Sequence, residues 1–167
     1  MRLPHSGDKK STAAAYNRQG ALMMQRGRFR EASFHLLSAV VCDPDCWPAF
    51  FNLGNCWVKI SEYEAAIWAY EQAVRNCTEY GPLFLNLGVA HCQYGQVEQA
   101  LPYLEQAWRL EPERAACSAA LGYVCYKLGE LGLSWHWYDK ALRLQPEKNE
   151  YKESIQYIGD LISVAAL

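Results

Sequence analysis

An excess of charge of either sign is missing from this sequence. Sixteen lysines and arginines stand against eighteen aspartates and glutamates, for a net charge of −2. A protein built to neutralise many phosphates carries a basic stripe, so a nucleic-acid role is disfavoured. Long apolar runs are missing too: none approaches the roughly eighteen residues that mark a membrane-crossing helix. The first dozen residues, MRLPHSGDKKST, have some positive charge but no apolar stretch behind it, so they do not read as a signal peptide. Seven cysteines, an odd number at irregular spacing, make no disulfide framework; they fit reduced thiols and a cytoplasmic location. What is plentiful is apolar. With 51% hydrophobic residues, 13% aromatic and only 20% charged, the chain folds, and 167 residues suffice for one domain with one sizeable core.

Motif chemistry is equally sparse. There is no phosphate loop, dinucleotide fingerprint, nucleophile elbow or zinc-protease helix motif, and no cofactor is expected. Cys42 and Cys46 form a C-x3-C pair around Asp43 and Asp45, but no further ligands are spaced to complete a zinc site. Four histidines are present, His5, His35, His91 and His136. His91, with Cys92 or Cys125, is the one pairing that suggests a cysteine nucleophile and its base. Packing of a core histidine on a core thiol explains the same residues, because free cysteine is among the most buried residue types. The expectation is a protein that is not an enzyme.

What the sequence does hold is internal repetition. Gly20, Gly54, Gly88 and Gly122 are each 34 residues apart, as are Ala39, Ala73, Ala107 and Ala141. The same step links Ala32, Ala66, Ala100 and Ser134, and Leu36, Tyr70, Leu104 and Tyr138. Four units follow without insertion, at 13–46, 47–80, 81–114 and 115–148. Within the second, Phe50, Leu53, Gly54 and Trp57 have the spacing of one helix face, and Ala66, Ile67, Tyr70, Ala73 and Val74 repeat it after a break at Ile60-Ser61-Glu62. Gly27, Gly95 and Gly129 take the turn in the other units, where a helix C-terminus favours glycine.

A 34-residue helix–turn–helix with these columns resembles the tetratricopeptide repeat family over residues 13–148. The family's pattern of aromatic, Leu-Gly, aromatic, Ala, aromatic and Ala reads as Phe50, Leu53-Gly54, Tyr63, Ala66, Tyr70 and Ala73. The resemblance implies an all-α, right-handed solenoid of antiparallel helix pairs that binds other proteins. Two segments flank the repeats. Residues 1–12 read as a flexible tail. Residues 149–167 read as a capping helix, with Tyr151, Ile155, Ile158 and Ile162 on one face and Lys152, Gln156 and Asp160 opposite.

First helices of such a stack line a concave groove, and the groove-facing residues flank the packed stripe. They are Asn17, Arg18 and Ala21; Phe51, Asn52, Asn55 and Lys59; Leu85, Asn86, Val89 and Gln93; and Ala119, Ala120, Tyr123 and Lys127. Asn52 and Asn86 share a column, and a carboxamide there offers a donor and an acceptor to a peptide backbone. This is similar to the asparagine ladder of some family members, here with two rungs. The family's carboxylate clamp for chaperone tails is not matched, because Ala116 and Ala120 stand where it needs cations. The sequence therefore predicts an adaptor holding a peptide or amphipathic segment of a partner protein. The alternative is a chaperone like those of type III secretion, holding an unstructured client segment. Single-stranded RNA is not expected, since Arg18, Lys59 and Lys127 are the only groove cations. On the convex side, Trp68 and Trp137 are candidates for a homo-oligomer contact, with Phe34, Tyr103 and His136 nearby in register.

Overall fold

A computed structural model describes residues 6–165. Among them are nine α-helices and no strand: α1 (Ser6–Gln25), α2 (Phe29–Cys42), α3 (Trp47–Lys59), α4 (Tyr63–Asn76), α5 (Gly81–Gln93), α6 (Val97–Leu110), α7 (Ala115–Lys127), α8 (Leu131–Leu144) and α9 (Asn149–Ala165). The 34-residue step is kept to the residue. First helices α3, α5, α7 and α9 start at 47, 81, 115 and 149, and second helices α2, α4, α6 and α8 at 29, 63, 97 and 131. Each first helix from α1 to α7 packs on the second helix that follows it. The chain divides between Thr78 and Glu79 into two compact units rather than gathering around one core. Contacts in a repeat array run mainly between neighbours, which is why such a division arises.

Two small-residue devices build every pair. The first is a close approach. A Cβ added at Gly20, Gly54, Gly88 or Gly122 would lie 2.6, 2.5, 2.5 or 2.8 Å from Leu36, Tyr70, Leu104 or Tyr138, sixteen residues on in each case. The second is the turn, where Gly27, Gly95 and Gly129 have φ of 71°, 88° and 81°, and Ser61 holds the same place at 63°. The residue after each of them donates its N–H back to the helix: Arg28 to the Met23 carbonyl, Glu62 to Trp57, Gln96 to His91 and Glu130 to Cys125. This closes each first helix with a left-handed residue that satisfies its last carbonyls.

The small column Ala32, Ala66 and Ala100 is fully buried, and Ser134, its fourth member, is too. Its hydroxyl donates to the Gly122 carbonyl at 2.7 Å, so the polar atom is satisfied where the other pairs have a methyl group. In the first unit Leu53 and Cys56 of α3 join Ala32 and Leu36 of α2 in one cluster, with Met23, Phe29 and Trp57 around it. In the second unit Tyr151 of α9 joins Ala115 of α7 and Ala141 of α8.

The ends differ from expectation in one respect. Residues 6–12 are not a tail but the opening turns of α1, while residues 1–5 lie outside the described residues. Nothing between Asp8 and Gln19 breaks a helix, and Asp8 sits in the first turn, where a carboxylate favours the positive end of the helix dipole. The Ser11 and Thr12 hydroxyls both donate to the Asp8 carbonyl, and Ala13 behind them is 1% exposed. At the other end α9 packs on α8, with Tyr151 against Ala141, and Ile158 is buried as well. It starts in phase with the first helices, yet Gln156 takes the glycine position and Lys152 the position of Phe50 and Phe84. Gln156 donates to Asp160 on the same helix at 2.9 Å, so the face that a second helix would cover is polar. Residues 166–167 lie outside the described residues.

Candidate peptide-binding faces

In the first unit, α1 touches α3, and the predicted residues lie along this pair. Arg18 and Lys59 are exposed, and Asn17, Phe51, Asn52 and Asn55 are half-buried. The asparagines already have intramolecular partners. Asn52 Nδ2 donates to Asn17 Oδ1 at 2.9 Å, a link across 35 residues that the 34-residue columns hide. The Tyr70 hydroxyl donates to Asn55 Oδ1 at 2.7 Å, and the Tyr70 ring lies 6.1 Å from that of Phe51. Tyr70 has no part in the sequence-level site. Its signal is that its column alternates leucine with tyrosine, and at Tyr70 the tyrosine brings a hydroxyl on a ring that is 1% exposed. Bonded in this way, Asn52 keeps its carbonyl oxygen and one N–H for another acceptor or donor.

In the second unit, α5 touches α7. Leu85 is a correction: at 6% exposed it is a core residue and offers little to a partner. A leucine gains more from burial than from facing water, and α5 is apolar around most of its circumference. Asn86 and Val89 are half-buried, and Tyr123 and Lys127 are exposed. Val89, Cys92, Gln93, Ala120 and Tyr123 line a shallow cavity of about 300 Å³. Ala120 leaves the space, Val89 and the Tyr123 ring make it apolar, and Gln93 adds a carboxamide. The Lys127 ammonium lies 5.6 Å from the centre of the Tyr123 ring, placing one positive charge at the cavity's edge. Cys92, one of the two thiols whose pairing with His91 was the less favoured reading, is part of the wall.

Burial disfavours the thiolate at four of the seven cysteines. Burial pushes Cys92 and Cys117 up to about 11 and Cys56 up to about 12, and it raises Cys125 as well. An activated nucleophile needs the opposite shift. His91 Nδ1 is 2.8 Å from Gln96 Oε1, and its ring stacks on Tyr103 at 5.3 Å, so the imidazole is held by packing partners. Among the described residues no group of three His, Cys, Asp or Glu side chains is placed to hold a metal ion.

The aromatic residues expected on the other side are largely used within their own units. Trp68 is 46% exposed and packs edge-on to Phe50 at 5.8 Å and against Trp57 at 6.1 Å. Trp137 is half-buried, 5.3 Å from Trp108, and Lys140 caps the Trp108 ring at 4.3 Å. Phe34 differs from both, being 70% exposed.

Helix pairs in strict 34-residue phase, with glycine against a large side chain in each, define an all-α helical-repeat protein. The chain belongs to the tetratricopeptide repeat family, whose sequence profile matches residues 11–81 and 85–149. Its fold is shared with YrrB, described as a TPR protein with an unusual peptide-binding site, at 22% identity and a TM-score of 0.82, over 94% of this chain and 81% of that one. It is shared with PilF of Pseudomonas aeruginosa at 22% identity and a TM-score of 0.79, over 90% and 69% of the two chains. A MamA fragment from Desulfovibrio magneticus RS-1, residue 41 onward, aligns at 19% identity and a TM-score of 0.87, over 95% and 88%. These likenesses are of fold. No curated protein matches the sequence. No helix among the described residues is long and apolar enough to cross a membrane.

Proposed function

We propose that this chain is a protein-binding scaffold that holds an extended segment of a partner on its first-helix faces, without covalent chemistry. The observation that carries this reading is the cavity between α5 and α7, where Val89, Ala120 and Tyr123 make an apolar recess with Gln93 and Lys127 at its edge. One apolar anchor fits there, followed by a backbone that the Gln93 carboxamide can bond and an acidic group for Lys127. Taken by itself, the first unit offers a polar contact of the same kind in its Asn17–Asn52 pair, since Asn52 retains bonding capacity. YrrB's peptide-binding site shows that a protein of this fold takes peptides, which supports the reading. The family membership favours scaffolding over catalysis, and the raised thiols agree with that. A reducing, cytoplasmic setting belongs to the same proposal, supported by the burial of the free cysteines Cys56, Cys117 and Cys125.

The test is selection from a displayed library of random twelve-residue peptides, followed by titration of the winners. Val89→Glu and Ala120→Leu fill or charge the recess and are checked by circular dichroism for intact helix. Peptides carrying one apolar anchor and an acidic residue, with affinity reduced about tenfold or more by either substitution, support the reading; a buried anchor is worth that much. Peptides that bind both folded variants as tightly as the parent overturn the α5–α7 assignment.

A further inference from the structure

The four second helices carry a regular outer face, and α2 breaks it. At one pair of columns α4 has Glu71 and Arg75, α6 has Glu105 and Arg109, and α8 has Asp139 and Arg143. The last two pairs form ion pairs one helical turn apart, at 3.3 and 2.8 Å. In α2 the same columns hold Leu37 and Val41, which are 36% and 79% exposed, and Phe34 one turn earlier is 70% exposed. An apolar stripe at i, i+3 and i+7 thus faces water where the other pairs show a solvated acid and arginine. Beside Val41, the N-terminal turns of α1 close a cavity of about 300 Å³ lined by Asp8, Lys9, Thr12, Val41 and Cys42.

The charges around this stripe are polar in the directional sense. Arg26, Arg28 and Arg30 lie at the N-terminal end of α2, and Asp43 and Asp45 just past its C-terminal end. Arg28 is engaged by Glu31, whereas Arg30 shares the face of Phe34 and is exposed. Asp45 is exposed, and its N–H donates to Asp43 Oδ1 at 3.2 Å, which fixes the acidic turn. Basic end, aromatic knob and apolar centre follow one another along one face of α2, with the cavity beside its last turn and the acidic turn just past its C-terminal end. A face with that order is complementary to itself when reversed.

We propose that α2 is the contact of a two-fold dimer, in which a second copy of this chain lies antiparallel with its dyad between Leu37 and Ser38. In that register Phe34 of each copy faces Val41 of the other and enters the cavity beside it. The seven residues between knob and cavity span about 10 Å of helix. The same register sets Arg30 of each copy opposite Asp45 of the other, giving two equivalent ion pairs, as an isologous interface requires. The contact lies on α2, outside the faces assigned above to a peptide, so the two proposals stand or fall separately.

Sedimentation equilibrium from about 1 µM to about 1 mM covers the weak association that one helix face supports. The parent chain is expected to dimerise within that range; a monomer throughout overturns the proposal. The double substitution Leu37→Glu/Val41→Arg copies the ion pair of α6 and α8, so the helix folds, and the dimer is expected to be lost. A folded double variant that dimerises as the parent does overturns it. Arg30→Glu and Asp45→Arg test the register. Each alone sets like charges together at both ends and is expected to weaken the dimer about tenfold or more, as two reversed pairs near a surface would. Mixing the two variants restores opposite charges at both ends, and a heterodimer is expected to form with near-parental affinity. If the mixture associates no better than either variant alone, the antiparallel register is wrong.

Discussion

Gly54 and Tyr70 occupy each other's space: a Cβ on the glycine would stand 2.5 Å from Cε1 of the ring, which is 1% exposed and tethered by its hydroxyl to Asn55. The ring cannot swing aside without breaking that hydrogen bond. Helix propensity alone favours alanine over glycine by about 1 kcal/mol. Overpacking a tight contact costs about 1–3 kcal/mol. Gly54→Ala is therefore expected to destabilise the protein by about 1 kcal/mol in chemical denaturation. Gly159, inside α9 with open space around its Cα, is the control. Gly159→Ala is expected to stabilise by about 0.5–1 kcal/mol. Equal effects at the two glycines would refute the steric account.

Ser61 adopts a φ of 63° where the other three turns have glycine. A left-handed residue with a Cβ carries a strain of about 1–2 kcal/mol, partly offset by the entropy that glycine loses on folding. Ser61→Gly is expected to raise stability by about 0.5–1 kcal/mol. A thermal melt that falls instead would show that the serine side chain contributes something its geometry does not display.

The Asn52–Asn17 hydrogen bond predicts coupling between α1 and α3. In a double-mutant cycle, Asn17→Ala and Asn52→Ala should each cost about 1 kcal/mol and together cost less than their sum, because each removes the same bond. Additive losses would mean that the bond contributes nothing net.

Thiol reactivity has a definite order. Cys56, Cys117 and Cys125 are buried, and burial holds Cys56 up to about 12 and Cys117 up to about 11 against an ordinary 9.0. An aromatic disulfide reagent at pH 8 should label only some or all of the four half-buried cysteines, Cys42, Cys46, Cys77 and Cys92, and reach seven after unfolding. The linkage has one sign. The unfolded chain loses these protons near 9.0 and the folded chain only near 11–12, so this contribution is full below pH 9 and is lost as pH rises towards 12. A urea midpoint that stays level from pH 8 to pH 11 would contradict it. So would fast labelling of a buried thiol.

Much of the fold was legible because the 34-residue step constrains every pair at once. Gly20, Gly54, Gly88 and Gly122 each mark a close helix approach, and Gly27, Gly95 and Gly129 mark the turns. The columns also hid things. A link such as Asn17 to Asn52, at 35 residues, runs between columns, so comparing positions 34 residues apart does not reveal it. Leu85 occupies the same column as half-buried Phe51 and Ala119, yet it is buried, on a helix that is apolar around most of its circumference. The α1 extension lies before the first repeat, where no column exists to compare it with. Residues 6–12 therefore read as a tail although they hold no helix breaker after Gly7. The apolar outer face of α2 is the reverse case, visible only as a departure from the acid and arginine of the other second helices.

The polar substitutions in α9 also set a limit on growth by gene duplication. Copying any 34-codon stretch within residues 13–148 inserts one more helix pair in frame and meets its neighbours with the same small and large residues. Copying past that point does not, because Lys152 and Gln156 refuse the next helix. Two polar side chains thus distinguish α9 from the first helices before it. Lys152→Phe/Gln156→Gly, with a grafted copy of α8 and a new terminal helix, should reopen the array.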